Sequence, residues 1–168
     1  KASAIIVSKE IGNDVHKNLL QVNDPYLAYA KVTQLFFNSN DIPYGNDFYS
    51  DKSARISDTA QVGSNAHIGQ DSEIGDNVCI GPNVFIGDNC IIQNNTIIHS
   101  NVSIYSNVSI GENCIIGNNV HIKYSVIGRN VRILDGAVIG KKGFGFFPDN
   151  KSNLRYPHIG IVIIEDNA

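Results

Sequence analysis

The chain has 168 residues, a formal net charge of −3, and neither Met nor Trp. This mildly acidic balance gives no electrostatic footprint for nucleic-acid binding, and no apolar run approaches the roughly 20 residues of a membrane span. The three cysteines, Cys79, Cys90 and Cys114, lack any metal-binding spacing, so we expect free thiols in a reducing, cytoplasmic setting.

Residues 1–50 predict the end of a small α/β domain followed by a polar connector. The run Ala4-Ile5-Ile6-Val7 predicts a short buried strand, and residues 26–37 predict a helix. Asp24 is the expected N-cap of that helix, with Pro25 at its first position. One strand and one helix cannot bury a core alone, so we expect this piece to continue a domain that begins upstream.

Residues 51–168 predict a repeat architecture, because apolar residues recur there every six positions. A small or β-branched residue, such as Val78, Cys90, Thr96 or Cys114, precedes each of them by two positions. A period of six fits a short strand and a tight turn, with both residues pointing inward, and three units make one coil. We therefore predict a parallel β-helix of about five coils. Its apolar series is Ile56, Val62, Ile68, Ile74, Ile80, Ile86, Ile92, Ile98, Ile104, Ile110, Ile116, Ile122 and, after a one-residue slip near Tyr124, Ile127, Ile133 and Ile139.

Turn residues punctuate the repeat. Gly often follows the apolar residue, and a pair such as Asp76-Asn77 or Asp88-Asn89 often follows the Gly. Both Gly and Asn tolerate positive φ, so we expect both at the corners where the chain turns.

Residues 141–158 interrupt the repeat with an aromatic and basic segment. It contains three Phe, one Tyr and four cations, and long excursions from a repeat scaffold are often functional loops. The pattern then resumes, with Val162 and Ile164 as the inward pair and Asp166-Asn167 as the turn. The chain stops at Ala168 with the repeat still running, so we expect a fragment or an end covered by a partner.

The repeats resemble those of the hexapeptide-repeat acyltransferases, whose β-helix is left-handed. Three features narrow the resemblance to the UDP-3-O-acylglucosamine N-acyltransferases of lipid A synthesis. The first is Lys1–Val7 followed by Asn23–Tyr29, similar to the end of that family's uridine-binding domain, and the second is the repeat run that begins shortly after Tyr49. The third is the segment Ile139-Gly140-Lys141-Lys142-Gly143-Phe144-Gly145-Phe146, followed by Tyr156-Pro157-His158-Ile159-Gly160-Ile161-Val162-Ile163-Ile164.

The resemblance implies transfer of a 3-hydroxyacyl chain from acyl carrier protein to the 2-amino group of UDP-3-O-acylglucosamine. It implies a homotrimer and a neutral His as general base, without a metal or cofactor. The family's catalytic His lies on a coil beyond the position that matches Ala168, so no residue here is assigned as catalytic. We accordingly expect the 168-residue chain to be inactive alone.

The interrupting loop supplies the candidate substrate-binding residues Gly143, Phe144, Gly145, Phe146 and His158. The two aromatic rings could line an acyl or pantetheine groove, or pack the loop onto a neighbour, and His158 could equally make a structural hydrogen bond. The cations Lys141, Lys142, Lys151 and Arg155 could meet acidic acyl carrier protein or remain solvated. Lys142 departs from the family, which usually has Asp there.

His67 and His121 occupy outward positions 54 residues apart on the same face. Three coils separate them, roughly 14 Å at strand spacing, so they cannot share a metal within one chain. We expect both to be surface residues, and we predict no metal site.

Two other functions fit the repeat. One is another hexapeptide acyltransferase, such as UDP-N-acetylglucosamine O-acyltransferase, although residues 1–50 disfavour it. The other is a non-catalytic structural β-helix, including an ice-binding solenoid. Ice binding would need a flat face of repeated Thr, and the outward positions here are too varied.

Overall fold

A computed structural model describes residues 5–8, 18–36, 47–148, 153–155 and 159–168; for 30, 33–36, 146–148 and 153–155 the description is of the backbone. The chain divides into two compact units, Lys1–Asp41 and Ile42–Ala168. Within the described residues, no helix is long and apolar enough to cross a membrane.

The first unit contains two parallel strands and one helix. Strand β1 (Ile5–Ser8) pairs with β2 (Leu19–Val22), and helix α1 spans Pro25–Phe36. The helix begins as predicted, since Asp24 Oδ1 accepts a hydrogen bond from the backbone N–H of Leu27 at 3.0 Å. Strand β2 is absent from the prediction.

The second unit is a parallel β-solenoid of about six turns, which confirms the predicted fold class. Its strands β3 to β18 are Tyr49–Ser50, Arg55–Ile56, Gln61–Val62, His67–Ile68, Glu73–Ile74, Cys79–Ile80, Phe85–Ile86, Ile91–Ile92, Ile97–Ile98, Ser103–Ile104, Ser109–Ile110, Ile115–Ile116, His121–Ile122, Ser125–Ile127, Arg132–Ile133 and Val138–Ile139. Within the solenoid, strand pairing begins at β3, because Tyr49 pairs with His67.

Three parallel sheets form the faces of the solenoid. Face 1 contains β3, β6, β9, β12, β15 and β18; face 2 contains β4, β7, β10, β13, β16 and, after the loop, β21 (Val162–Ile164); and face 3 contains β5, β8, β11, β14 and β17. Each strand pairs with the strand one coil away, usually 18 residues along the chain, as Ile92 does with Ile74 and Ile110. The six-residue period is therefore the length of one side of the triangle.

The core is a column of the predicted inward residues. The inward Ile side chains of the six-residue series from Ile68 to Ile122 are at most 3% exposed, and Val78, Val84 and Val102 fill the second inward position. Burying each of these Ile or Val side chains contributes about 1.5–3 kcal/mol. The stacked coils thus share one continuous apolar core, as a solenoid requires.

Buried hydroxyl and thiol groups at the second inward position make hydrogen bonds to backbone groups of neighbouring coils. The Ser72 hydroxyl donates to the carbonyl of Gly87 at 2.8 Å and accepts from the N–H of Cys90 at 3.0 Å. Thr96 does the same between Gly111 and Cys114. Among the described residues, every buried polar side-chain atom has a hydrogen-bond partner.

The cysteines lie where the repeat predicts. Cys90 and Cys114 are buried in the core, and Cys79 is half-buried on face 3. Burial raises the pKa of the Cys90 and Cys114 thiols.

The prediction that Gly supplies positive φ at the corners is wrong for most of the repeat. Among the described glycines only Gly136 and Gly140 have positive φ, and the left-handed corner is otherwise taken mainly by Asn. The other glycines are required by stacking. A Cβ on Gly63, for example, would lie 2.6 Å from the carbonyl carbon of Gly81 on the next coil.

Tyr124 occupies the corner position that Asn takes elsewhere. It has φ 48°, and it lies in the five-residue unit between Ile122 and Ile127. Twelve of the thirteen described non-glycine residues with positive φ are Asn or Asp, and Tyr124 is the thirteenth. The one-residue slip therefore changes one corner of the solenoid and puts a bulky ring there.

The interrupting segment contains a β-hairpin that the sequence did not predict. Strand β19 (Phe146–Pro148) pairs antiparallel with β20 (Asn153–Arg155). The chain then rejoins the solenoid, where β21 places Val162 beside Ser125 and Ile164 beside Ile127. Ile164 packs against the core, so the inward register survives the interruption.

Asp166 completes the first corner after the interruption. Its Oδ1 accepts the N–H of Arg129 at 2.7 Å, in the same way that Asn94 Oδ1 accepts the N–H of Asp76 at 2.8 Å. The sequence separation is 37 in the first case and 18 in the second. The inserted segment is therefore looped out without disturbing the stacking geometry.

Candidate functional site

The loop leaves the solenoid at Gly140, on the corner between face 1 and face 2. Gly140 has φ +69°, and a Cβ built on it would collide with the carbonyl oxygen of Lys123 on the preceding coil. Only Gly combines that backbone conformation with that close approach. The position of Lys141 and Lys142, which come next, depends on this exit.

A groove of about 750 Å³ runs along the same corner. Its lining residues come from three successive coils and from the start of the loop. They are Tyr105, Ser106, Asn107, His121, Lys123, Tyr124, Val138, Lys141 and Lys142. The volume lies within the usual range for small-molecule sites, about 300–1,000 Å³.

Aromatic rings on face 1 lead into the groove. Tyr49 stacks on His67 with ring centroids 4.7 Å apart, and His67 stacks on Phe85 at 5.1 Å. Phe85 meets Tyr105 edge-on at 6.3 Å, and the Lys123 Nζ lies over the Tyr105 ring, 3.8 Å from its centroid. The stack therefore fixes both a ring and an ammonium at the groove wall.

The predicted loop residues lie partly outside this groove. Gly143 is exposed, Gly145 is half-buried and Phe144 is 89% exposed. Phe146 begins β19, and its side chain is not described. Gly143, Phe144 and Gly145 are not among the described residues that line the groove. Their role in substrate binding stays a prediction.

His158 and Lys151 lie outside the described residues. Arg155 ends β20, opposite Phe146. Lys141 and Lys142, by contrast, line the groove.

The two histidines of face 1 have different surroundings. His67 is half-buried between two rings, and His121, also half-buried, lines the groove. The part of the chain that the structure describes brings no three His, Cys, Asp or Glu side chains together as a metal site.

Six groove residues were not singled out as functional candidates from the sequence: Tyr105, Ser106, Asn107, Lys123, Tyr124 and Val138. One signal could have found Lys123 and Tyr124, since the repeat slips by one residue at Tyr124. The corner that contains them is also the one from which the loop departs. Tyr105 precedes Lys123 by 18 residues, or one coil.

The sequence profile of the bacterial transferase hexapeptide family, which describes six repeats, matches residues 53–88 and 89–124. Among curated proteins, UDP-3-O-acylglucosamine N-acyltransferase 2 of Legionella pneumophila is 47% identical over 49 residues, 29% of this chain and 14% of that protein. UDP-3-O-acylglucosamine N-acyltransferase of a Geobacter species is 59% identical over 34 residues, 20% of this chain and 10% of that protein. The match therefore spans much less than two thirds of these relatives.

Solved structures of acetyltransferases share the fold. A candidate acetyltransferase of Bacillus cereus is 29% identical, with a TM-score of 0.53, covering 58% of this chain and 62% of that one. The acetyltransferase domain of PglB from Neisseria gonorrhoeae, in complex with acetyl coenzyme A, has a TM-score of 0.58 and 18% identity, covering 89% of this chain and 66% of that one. The relatives and structural neighbours are thus acyltransferases.

Proposed function

We propose that this chain, which carries the repeats of the bacterial transferase hexapeptide family, is part of a UDP-3-O-acylglucosamine N-acyltransferase. The reaction moves a 3-hydroxyacyl chain from acyl carrier protein to the 2-amino group of UDP-3-O-acylglucosamine, a precursor of lipid A. The repeats alone cannot choose this reaction, because one fold serves many chemistries.

The observation that carries the proposal is the break in the solenoid at Gly140. There the chain leaves face 1 with the sequence Lys141-Lys142-Gly143-Phe144-Gly145-Phe146 and returns as β21. This is the segment through which the chain resembles the N-acyltransferases. The two relatives described above, which bear that name, add further support.

The chemistry is addition and elimination at a thioester. The 2-amino nitrogen attacks the carbonyl carbon, the new C–N bond forms, and the C–S bond breaks to release the carrier thiol. A general base takes the proton from the attacking nitrogen. We assign that base to no residue of this chain, since the family's catalytic His follows the segment that matches these 168 residues.

A homotrimer fits the apolar residues that face 2 exposes. Ile91, Val126 and Ile163 lie at outward positions of that face and are 42%, 43% and 60% exposed. Aliphatic side chains at three positions of one face favour packing against another copy. Sedimentation of a trimer would support this assembly, and a strict monomer would contradict it.

A reducing, cytoplasmic location completes the proposal. All three cysteines are free thiols. Paired cysteines are the usual state in oxidising compartments.

The proposal is tested with the product of the whole gene that encodes this sequence. It is incubated with UDP-3-O-acylglucosamine and either 3-hydroxyacyl-acyl carrier protein or acetyl coenzyme A. We expect acylation with the carrier-protein donor. Transfer from acetyl coenzyme A alone would instead support an acetyltransferase, which the 29% identity to the Bacillus cereus protein favours.

A further inference from the structure

The groove on the loop corner is strongly cationic. Of the nine lining residues that the structure describes, three are Lys and one is His, and none is Asp or Glu. The whole chain has the opposite sign, with a formal net charge of −3. A concave site lined by one sign of charge raises the local concentration of the opposite ion, so this groove attracts anions.

Among the described residues, an aromatic ring and no carboxylate holds the charge of Lys123 in place. Its ammonium lies 3.8 Å from the centroid of the Tyr105 ring, a cation–π contact. Within the described part of the chain the salt bridges are Arg55–Glu73 and Arg129–Asp166, and neither includes a groove lysine. The ring thus orients the ammonium, and no ion pair of the described residues neutralises its charge.

The other two lysines, Lys141 and Lys142, follow the point where the chain leaves the solenoid. Gly140 packs on the backbone of Lys123, so the segment that carries Lys141 and Lys142 leaves the solenoid beside Lys123. Three lysines that line one groove suit a ligand group that has several negative oxygens. Lysine acts as a compact point charge and binds phosphate in that way.

The remaining walls suit an uncharged part of the same ligand. Tyr105, Tyr124 and Val138 are 39%, 47% and 49% exposed and line the groove. Tyr124 sits at the left-handed corner, where Asn is otherwise the rule. A bulky residue retained in that conformation is the kind of local strain that functional sites carry.

We propose that this groove binds a phosphate-bearing small molecule, with the phosphate oxygens held by Lys123, Lys141 and Lys142. The planar or apolar part of the molecule lies against Tyr105, Tyr124 and Val138. A nucleoside diphosphate and a phosphopantetheine arm share this chemistry. The site rests on the groove's own residues and holds whether or not the chain takes part in acyl transfer.

The test is calorimetric titration of the 168-residue chain at low salt. Pyrophosphate, UDP and pantetheine 4′-phosphate are the three probes, each used up to about 1 mM. We expect at least one to bind, and the affinity to fall as salt rises. Tighter binding of UDP identifies the nucleotide as the source, and tighter binding of pantetheine 4′-phosphate identifies the acyl-carrier arm. Equal binding of all three shows recognition of the phosphate itself.

Three variants locate the site: Lys123→Gln, Lys141→Gln and Lys142→Gln. Each loses a charged hydrogen bond to phosphate, so we expect an affinity loss of about tenfold or more. Lys52→Gln, at an exposed lysine of the first coil, is the matched control and should change affinity less than twofold. Circular dichroism verifies that every variant is folded. Binding of none of the probes, or equal losses in Lys52→Gln and the groove variants, would overturn the proposal.

Discussion

Gly140 packs against the carbonyl oxygen of Lys123, leaving no room for a Cβ at the point where the chain leaves the solenoid. Gly140→Ala must therefore displace backbone, and it also places Ala at φ +69°. We expect a loss of about 3 kcal/mol or more in the free energy of unfolding, measured by urea denaturation.

Two other glycines separate the causes of that loss. Gly136 has φ +74° with nothing within 4 Å of a built Cβ, so Gly136→Ala should cost about 1–2 kcal/mol from conformation alone. Gly160 has open space and no positive φ, so Gly160→Ala should be close to neutral. If Gly140→Ala lowered the free energy of unfolding no more than Gly136→Ala does, the close approach to Lys123 would not contribute to the loss.

Tyr124→Asn should stabilise the fold and weaken ligand binding in the groove. Asn is the usual residue at this corner, and it tolerates φ near 48° better than Tyr does. We expect a gain of about 1 kcal/mol in urea denaturation, together with weaker binding of the phosphate probes. A variant that lost stability would show that the Tyr124 ring contributes more by packing than its backbone costs.

The Arg129–Asp166 contact should make stability depend on acid pH. The backbone N–H of Arg129, and then its guanidinium, lower the pKa of the Asp166 carboxyl below 3.8. A carboxyl whose pKa is lowered by folding stabilises the fold at pH values above 3.8. That contribution is lost as the pH falls from 3.8 through the folded-state pKa.

Asp166→Asn should therefore be less stable than the parent chain at neutral pH, and the difference should shrink below pH 3.8. Urea midpoints measured across that range provide the test. Asp58→Asn, at an exposed residue, is the control. If the stability difference between Asp166→Asn and the parent chain stayed constant down to the lowest pH, the lowered pKa of Asp166 would be contradicted.

The three cysteines should react with a thiol reagent in two classes. Cys79 is half-buried on an outward face, whereas Cys90 and Cys114 are buried and have pKa values raised by that burial. The thiolate is the reactive form, so we expect one fast thiol per native chain and three after denaturation. Mass spectrometry of the labelled native chain should locate the label at Cys79. Label at Cys114 would indicate that the coils open under native conditions.

The repeat could be predicted because its signal is periodic and every coil repeats it. Ile80, Cys90 and Ile98 lie where the pattern places them because side-chain alternation fixes which residues face the core. The role of the repeat glycines could not be predicted in the same way. Their constraint comes from the neighbouring coil, as with Gly63 and Gly81, and such packing is invisible in a local pattern.

The candidate groove could not be predicted from the sequence, for a related reason. Tyr105, Lys123 and Lys141 come together because successive coils stack and Gly140 turns the chain outward at that corner. Strand β2 and the hairpin β19–β20 were missed because each strand has only three or four residues and no clear alternation. The loop's aromatic residues were noticed, but their contacts depend on three-dimensional placement.

The central claim, that this solenoid belongs to an N-acyltransferase of a UDP-sugar lipid precursor, is tested most directly by locating the new acyl group. The protein encoded by the whole gene is supplied with 3-hydroxyacyl-acyl carrier protein and UDP-3-O-acylglucosamine. The acylated sugar nucleotide is then analysed by tandem mass spectrometry. We predict one added 3-hydroxyacyl group, linked to the 2-amino nitrogen as an amide that resists mild alkali. An alkali-labile ester on a sugar hydroxyl, or no transfer from the carrier protein, would contradict the account.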